Sequence, residues 1–183
     1  MTRAVYPIER SKKPFKKIAK AKETVASYGR PLSTGFKRIC ACAPTHINCM
    51  SAKEWLKSQI GVWQFFYEKR DIRDKELHPA TFPIALAKKV IELFTHQGEL
   101  VIDPFAGSGT TLVAAQDLNR NAVGFDLQNK YIELCQKRLS NDNFFNKSQQ
   151  LAVQDDAKNI LKYFTPETVS LIWTSPPYAN LLN

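Results

Sequence analysis

The sequence has no apolar run long enough to cross a bilayer, and its first thirty residues lack the unbroken apolar core of a secretory signal. Membrane-spanning and secreted classes are thereby set aside, and a cytoplasmic protein is expected. Cysteine is scarce. Cys40, Cys42, Cys49 and Cys135 are too few for a disulfide framework in 183 residues. Cys40, Cys42, His46 and Cys49 can be imagined around a zinc ion, but the C-x-C opening fits no common finger spacing, so free thiols and no metal are expected. Acids are nearly absent from the first fifty residues, where eleven Lys/Arg meet only Glu9 and Glu23. That imbalance accounts for the whole net charge of +9. Lys12, Lys13, Lys16, Lys17, Lys20, Lys22, Lys37 and Arg38 would be drawn to a phosphate backbone by counterion release, or form a solvated tail.

What is present suits one packed domain: 44% of residues are hydrophobic and 23% charged. Residues 1–50 mix lysines with Pro7, Pro14, Pro31, Pro44, Gly29 and Gly35, and read as a basic, largely irregular extension. Residues 51–183 read as the folded domain. Ser51 with Glu54 is a capping-box pattern for a short helix. Residues 62–67 read as extended. A helix follows Pro83, with Ile84, Ala87, Val90, Ile91 and Phe94 on one face and Gly98 as its stop. Four apolar runs then form strands, at 100–102, 122–125, 151–153 and 169–173. Helices at 110–118 and 131–139 and a short one at 157–163 separate them. Such alternation predicts an α/β fold, a parallel sheet with helices on both faces and ligands at the carboxyl ends of its strands.

The informative residues stand at those ends. Strand one runs into Asp103-Pro104-Phe105-Ala106-Gly107-Ser108-Gly109-Thr110, where glycines allow a tight turn and close backbone approach to a ligand. No lysine follows as in a P-loop, and Leu112 stands where G-x-G-x-x-G needs its last glycine. Strand two ends at Asp126, an acceptor suited to ribose hydroxyls. Strand three ends at Asp155-Asp156, where one acid can meet an adenine amino group or the pair can cap the next helix. Strand four ends in Ser175-Pro176-Pro177-Tyr178. An exocyclic amine on a base is a weak nucleophile because its lone pair is delocalised into the ring. Acceptors on both N–H hydrogens, the Ser175 oxygen and the Pro176 carbonyl, favour a tetrahedral nitrogen able to attack a methyl carbon. Tyr178 offers a flat face for a base swung out of the duplex.

From about Trp63 to Tyr178 the chain resembles the N4-cytosine and N6-adenine DNA methyltransferases of bacterial restriction-modification systems. The motifs that carry the resemblance are 78–83 (His-Pro-Ala-Thr-Phe-Pro), 103–111, Asp126 and 175–178, in consistent order. The resemblance implies a Rossmann-like class I fold and S-adenosylmethionine as cofactor. It assigns His78, Pro79, Thr81, Phe82, Asp103, Pro104, Phe105, Gly107, Ser108, Gly109 and Thr110 to the methionine end, Asp126 to the ribose and Asp156 to the adenine. Ser175, Pro176, Pro177 and Tyr178 become the catalytic loop, double-stranded DNA the partner and, from the serine, cytosine N4 the acceptor. Family members more often carry a small residue where Asp155 stands. They also continue after the Tyr178 loop, so C-terminal strands are expected to be missing, with a second chain or a C-terminal half supplying them and target recognition. An adenine-N6 DNA methyltransferase is the near alternative. RNA guanine-N2 and protein-glutamine methyltransferases share X-Pro-Pro-Tyr but carry Asp or Asn at the serine position and lack the 78–83 block; a remnant that binds cofactor or DNA without turnover is the non-enzymatic alternative. No Pro-Cys dipeptide is present, which excludes the carbon-5 cytosine mechanism.

Overall fold

Short runs of Val, Ile, Leu and Ala that alternate large and small side chains become the sheet. In this computed structural model residues 36–59, 61–69, 71, 81–140 and 147–177 are described. The elements are α1 (Ala52–Lys57), α2 (Ile84–Phe94), β1 (Leu100–Asp103), α3 (Thr110–Asp117), β2 (Asn121–Asp126), α4 (Asn129–Ser140), β3 (Gln150–Gln154), a 3-10 segment (Ala157–Lys162) and β4 (Leu171–Ile172). All strand pairs are parallel and the order is β3-β2-β1-β4. The chain builds outward from β1 through β2 to β3, then returns to the other side of β1. That reversal opens a crevice at the carboxyl ends of β1 and β4, where α/β sheets bind ligands.

The two faces of the sheet differ in side-chain size. On one, Val101, Ala122 and Ala152 pack against Ile84, Ala87 and Ile91 of α2, Leu112 to Ala115 of α3, and Ile132 and Cys135 of α4. Gly124 belongs to this face, where a β-carbon would lie 2.6 Å from both Ala106 and Leu112. Small residues there let the helices approach closely. On the other, Leu100, Ile102, Val123, Phe125 and Val153 are covered by Tyr163 and Phe164 after the 3-10 segment.

The expected elements are found, with changes at their ends. The capping box is present: the Glu54 carboxylate accepts the Ser51 amide at 2.8 Å. Residues 62–67 join no strand. Helix α2 ends at Phe94 rather than Gly98, because the Thr95 backbone is extended; Phe94 is exposed and Leu93 takes the buried place. The first backbone amide of α2, on Ile84, donates to buried Asp71 at 3.0 Å, a cap 13 residues away in sequence. β4 is two residues, not five, and forms the sheet edge among the described strands, with Ile172 61% exposed. No helix among the described residues is long and apolar enough to cross a membrane. Residues 36–50 dock on the domain: the Ile39 amide donates to the Gln97 carbonyl at 2.9 Å and the Asn48 amide group to the Leu93 carbonyl.

Candidate functional site

Three loops meet at the carboxyl ends of β1, β2 and β4, and one buried carboxylate joins two of them. Asp103 closes β1. Its Oδ2 accepts the Thr111 hydroxyl at 2.6 Å, while its Oδ1 accepts the Phe105 amide at 3.1 Å and the Thr174 hydroxyl at 2.7 Å. Burial pushes the Asp103 carboxyl above its usual range, the bonds from Thr111, Thr174 and Phe105 oppose this, and nearby Asp126 adds to the rise. Thr174 immediately precedes Ser175, so the Ser-Pro-Pro segment starts tethered to the glycine turn. The register demands this proximity, since Val101 pairs with Leu171 and Ile102 with Ile172, and the Trp173 amide donates to the Ile102 carbonyl at 3.0 Å.

The turn itself rests on two glycines with left-handed backbone, Gly107 at φ 50° and Gly109 at φ 83°. At Gly109 the restriction is double, because an added β-carbon would also lie 2.2 Å from the Cys135 sulfur of α4. Buried Arg138 of α4 holds the turn from behind: one guanidinium nitrogen donates to the Ser108 carbonyl at 2.8 Å, the Ser108 hydroxyl at 2.9 Å and the Thr110 hydroxyl at 3.2 Å. Ser108 and Thr110, expected to face a cofactor, therefore turn their hydroxyls to Arg138. Sequence reading missed Arg138, whose contacts span 28 to 30 positions, and gave no sign that Thr111 and Thr174 would both donate to Asp103, 8 and 71 positions away.

Asp126 closes β2 half-buried. Its two oxygens accept the Gly107 amide at 3.1 Å and the Gln128 amide at 2.8 Å, which fixes the carboxylate and leaves further lone pairs for a ligand. The acids after β3 have separate duties. Burial acts to raise Asp155, but bonds from Tyr163, Asn159 and the Asp156 amide outweigh it and hold the carboxyl below its usual range. Asp156 caps the 3-10 segment, accepting the Lys158 amide at 2.9 Å, and its side chain stays 41% exposed. Of the expected pair, Asp155 has both oxygens engaged by the Asp156 amide, Asn159 and Tyr163, while Asp156 keeps a partly exposed carboxylate.

Of the 78–83 block, Thr81, Phe82 and Pro83 are described, and His78 and Pro79 lie outside the described residues. Phe82 meets Trp173 edge to face at 6.2 Å, placing this block beside the Ser175 loop. Thr81 Oγ1 and Trp173 Nε1 are buried without a hydrogen-bond partner among the described residues. Phe105 is 43% exposed, Pro104 and Ser175 are half-buried and Pro176 and Pro177 exposed. Tyr178 lies outside the described residues. Away from this site, Cys40, Cys42 and Cys49 converge on His96, not on His46.

A family model described as DNA methylase, of the N6 and N4 type, matches residues 7–137. Among curated relatives, the type II methyltransferase M.BglI of Bacillus subtilis is 38% identical over 93 residues, covering 50% of this chain and 26% of the relative. M.HindIII of Haemophilus influenzae is 42% identical over 80 residues, covering 42% and 26%. The matched part of this chain spans about a quarter of each relative's length. Among solved structures, a Thermus thermophilus protein complexed with S-adenosyl-L-methionine aligns at TM-score 0.45 and 24% identity over 63% of this chain and 43% of its own. TrmN from Thermus thermophilus aligns at TM-score 0.46 and 26% identity over 59% and 32%.

Proposed function

Because this chain belongs to the N6/N4 DNA methylase family, we propose that it binds S-adenosylmethionine across the ends of β1, β2 and β3 and presents Ser175 and Pro176 to an exocyclic amine of a DNA base, cytosine N4. The observation that carries this reading is the Thr174 to Asp103 hydrogen bond of 2.7 Å, which brings the acceptor-bearing loop to the glycine turn.

The donor set suits the cofactor. The fixed Asp126 carboxylate suits two ribose hydroxyls, and Asp156 an adenine amino group. Thr81 Oγ1 and Trp173 Nε1, without a partner among the described residues, flank the Phe82 contact and are groups a polar ligand would satisfy. When bound, S-adenosylmethionine supplies a methyl group on a sulfonium centre. Ser175 Oγ and the Pro176 carbonyl each accept one N–H hydrogen of the amine and so concentrate its lone pair on the nitrogen. The paired prolines hold that carbonyl in place at little conformational cost. Tyr178 is assigned the stacking face for the extruded base. The serine ahead of the prolines supports cytosine over adenine. A C-terminal half, or a second chain, is assigned the strands beyond β4 and the reading of the target sequence.

The test incubates the chain with labelled cofactor and duplex DNA, alone and with a C-terminal half added back, then digests the DNA to nucleosides. N4-methylcytosine is expected with the added half. N6-methyladenine would overturn the base assignment, and label confined to tRNA or a release factor would overturn the DNA reading.

A further inference from the structure

We propose that Cys40, Cys42, Cys49 and His96 bind one structural zinc ion at the amino end of β1. The three sulfurs and a ring nitrogen lie within 4.8 Å of one another. Tetrahedral zinc with bonds of about 2.3 Å to sulfur and about 2.0 Å to nitrogen demands edges near ~3.8 Å between sulfurs and ~3.5 Å between sulfur and nitrogen. Cys40 and Cys42 stand 3.7 Å apart, and His96 Nδ1 is 3.6, 3.5 and 3.4 Å from Cys40, Cys42 and Cys49. Hydrogen bonding does not account for this convergence, because a neutral imidazole nitrogen donates one proton or accepts one and cannot serve three thiols. A disulfide does not either, since its sulfurs would be bonded at about 2.05 Å. One cation at the centre satisfies all four atoms.

The surroundings suit the charge. Zinc with three thiolates carries one net negative charge, and the Arg38 guanidinium donates to Cys40 Sγ at 3.1 Å and Cys42 Sγ at 3.0 Å. The Gln97 amide points at Cys49 Sγ from 3.5 Å, the outer-shell contact a bound thiolate takes. The backbone is bent to deliver Cys49. Ile47 and Met50 exchange hydrogen bonds of 2.8 and 2.9 Å around Asn48 at φ 51° and Cys49 at φ 69°, a turn with both central residues left-handed. Glycine is the usual occupant of the second of those positions, and the cost of cysteine there is explained by where its sulfur must go. His96 sits on a held loop, its amide donating to Glu99 at 2.7 Å and the preceding carbonyl accepting Arg120 at 2.9 Å.

Four protein ligands close the coordination shell, so the ion is structural, and sulfur-rich tetrahedral geometry selects zinc. It clamps residues 36–50 to the loop entering β1, at the opposite end of that strand from Asp103. On binding, the three thiols release their protons to solvent and no electron is transferred. His96 lies 47 positions beyond Cys49, which is why the C-x-C spacing concealed the site.

The full chain, purified under reducing conditions from zinc-supplemented growth, should carry one zinc per chain by elemental analysis. Cobalt exchanged into it should show sulfur charge-transfer and intense tetrahedral d–d bands, a readout that needs no variant to fold. His96→Ala should bind zinc more weakly by more than about 100-fold in chelator competition, beyond the scale set by losing an outer-shell partner, and Cys42→Ser likewise. His46→Ala should match the unsubstituted chain. A chain that takes up no zinc, octahedral cobalt, or undiminished affinity in His96→Ala and Cys42→Ser would overturn the site.

Discussion

The proposed function gives Asp126 and Ser175 separable duties, and substitution tests the division. Asp126 is fixed by two amides at the end of β2 and is assigned to the cofactor, whereas Ser175 is assigned to the acceptor base. Asp126→Ala should weaken S-adenosylmethionine by roughly tenfold or more, the scale of a hydrogen bond to a charged group, with a smaller effect on turnover. Ser175→Ala should lower turnover by about 100-fold, the scale of one electrostatic interaction removed from a transition state, with little change in cofactor affinity. Calorimetry and single-turnover kinetics, run with a C-terminal half added back as in the test of the proposed function, read the two; equal loss of both in either variant would contradict the assignment. Cys135 is expected to make stability fall at alkaline pH. Burial pushes its thiol up to about 12, and burial with the bond to Asp155 raises the Tyr163 phenol. Both pKa values lie higher folded than unfolded, so the folded state holds these protons more tightly. For Cys135 the stabilisation is whole below the unfolded thiol range of about 8.5 and is lost as pH climbs through about 12. The slope is at most about 1.4 kcal/mol per pH unit for each group. Urea unfolding at stepped alkaline pH should show the decline, with a shallower slope in Cys135→Ala. Asp103, Gly109, Asp126 and Ser175 are legible in the sequence because an acid at a strand end and a glycine in a turn declare themselves locally. Thr174 and Arg138 do not, since each acquires meaning only from a partner distant in sequence.

Elements follow the same division. The strands of the sheet are readable because large side chains alternate with Ala122, Gly124 and Ala152, one set for each face. Helix ends are less so. Residue Phe94 continues the apolar spacing of α2 yet is exposed, because the chain leaves the helix at Thr95 before its ring reaches the core. The start of α2 lacks a local cap, as Pro83 has no side-chain acceptor, and Asp71 takes that role by receiving the amides of Ile84 and Glu68 at 3.0 and 2.9 Å. Asp71→Ala should cost about 2 kcal/mol, a buried cap to a carboxylate, measured as a lower urea midpoint. An unchanged midpoint would mean that the α2 amide finds another acceptor. β4 is shorter than its apolar run because pairing with β1 ends after two residues, where the chain turns Thr174 toward Asp103.

At the scale of the whole molecule, the excess of basic residues and the acids of the candidate site fall in different parts of the sequence. Residues 2–35 hold nine of the 26 basic residues, while the loops at the sheet's carboxyl end are lined by Asp103, Asp126 and Asp156. Deleting residues 2–35 should weaken nonspecific DNA association and flatten its dependence on salt, by roughly 0.9 in log–log slope for each phosphate no longer neutralised. Fluorescence anisotropy across a salt series reads this, and an unchanged slope would leave the segment without a part in DNA binding.

A single acid shared by two loops has a thermodynamic corollary. Ordering one loop around Asp103 lowers the entropic cost of ordering the other, and by linkage the discount is identical in both directions. The methyl donor should tighten the hold on an extruded base by the factor with which the base tightens the hold on the donor. Thr174→Val, which removes the 2.7 Å bond, should bring both factors toward unity together; a factor that moved alone would mean the loops communicate by another route.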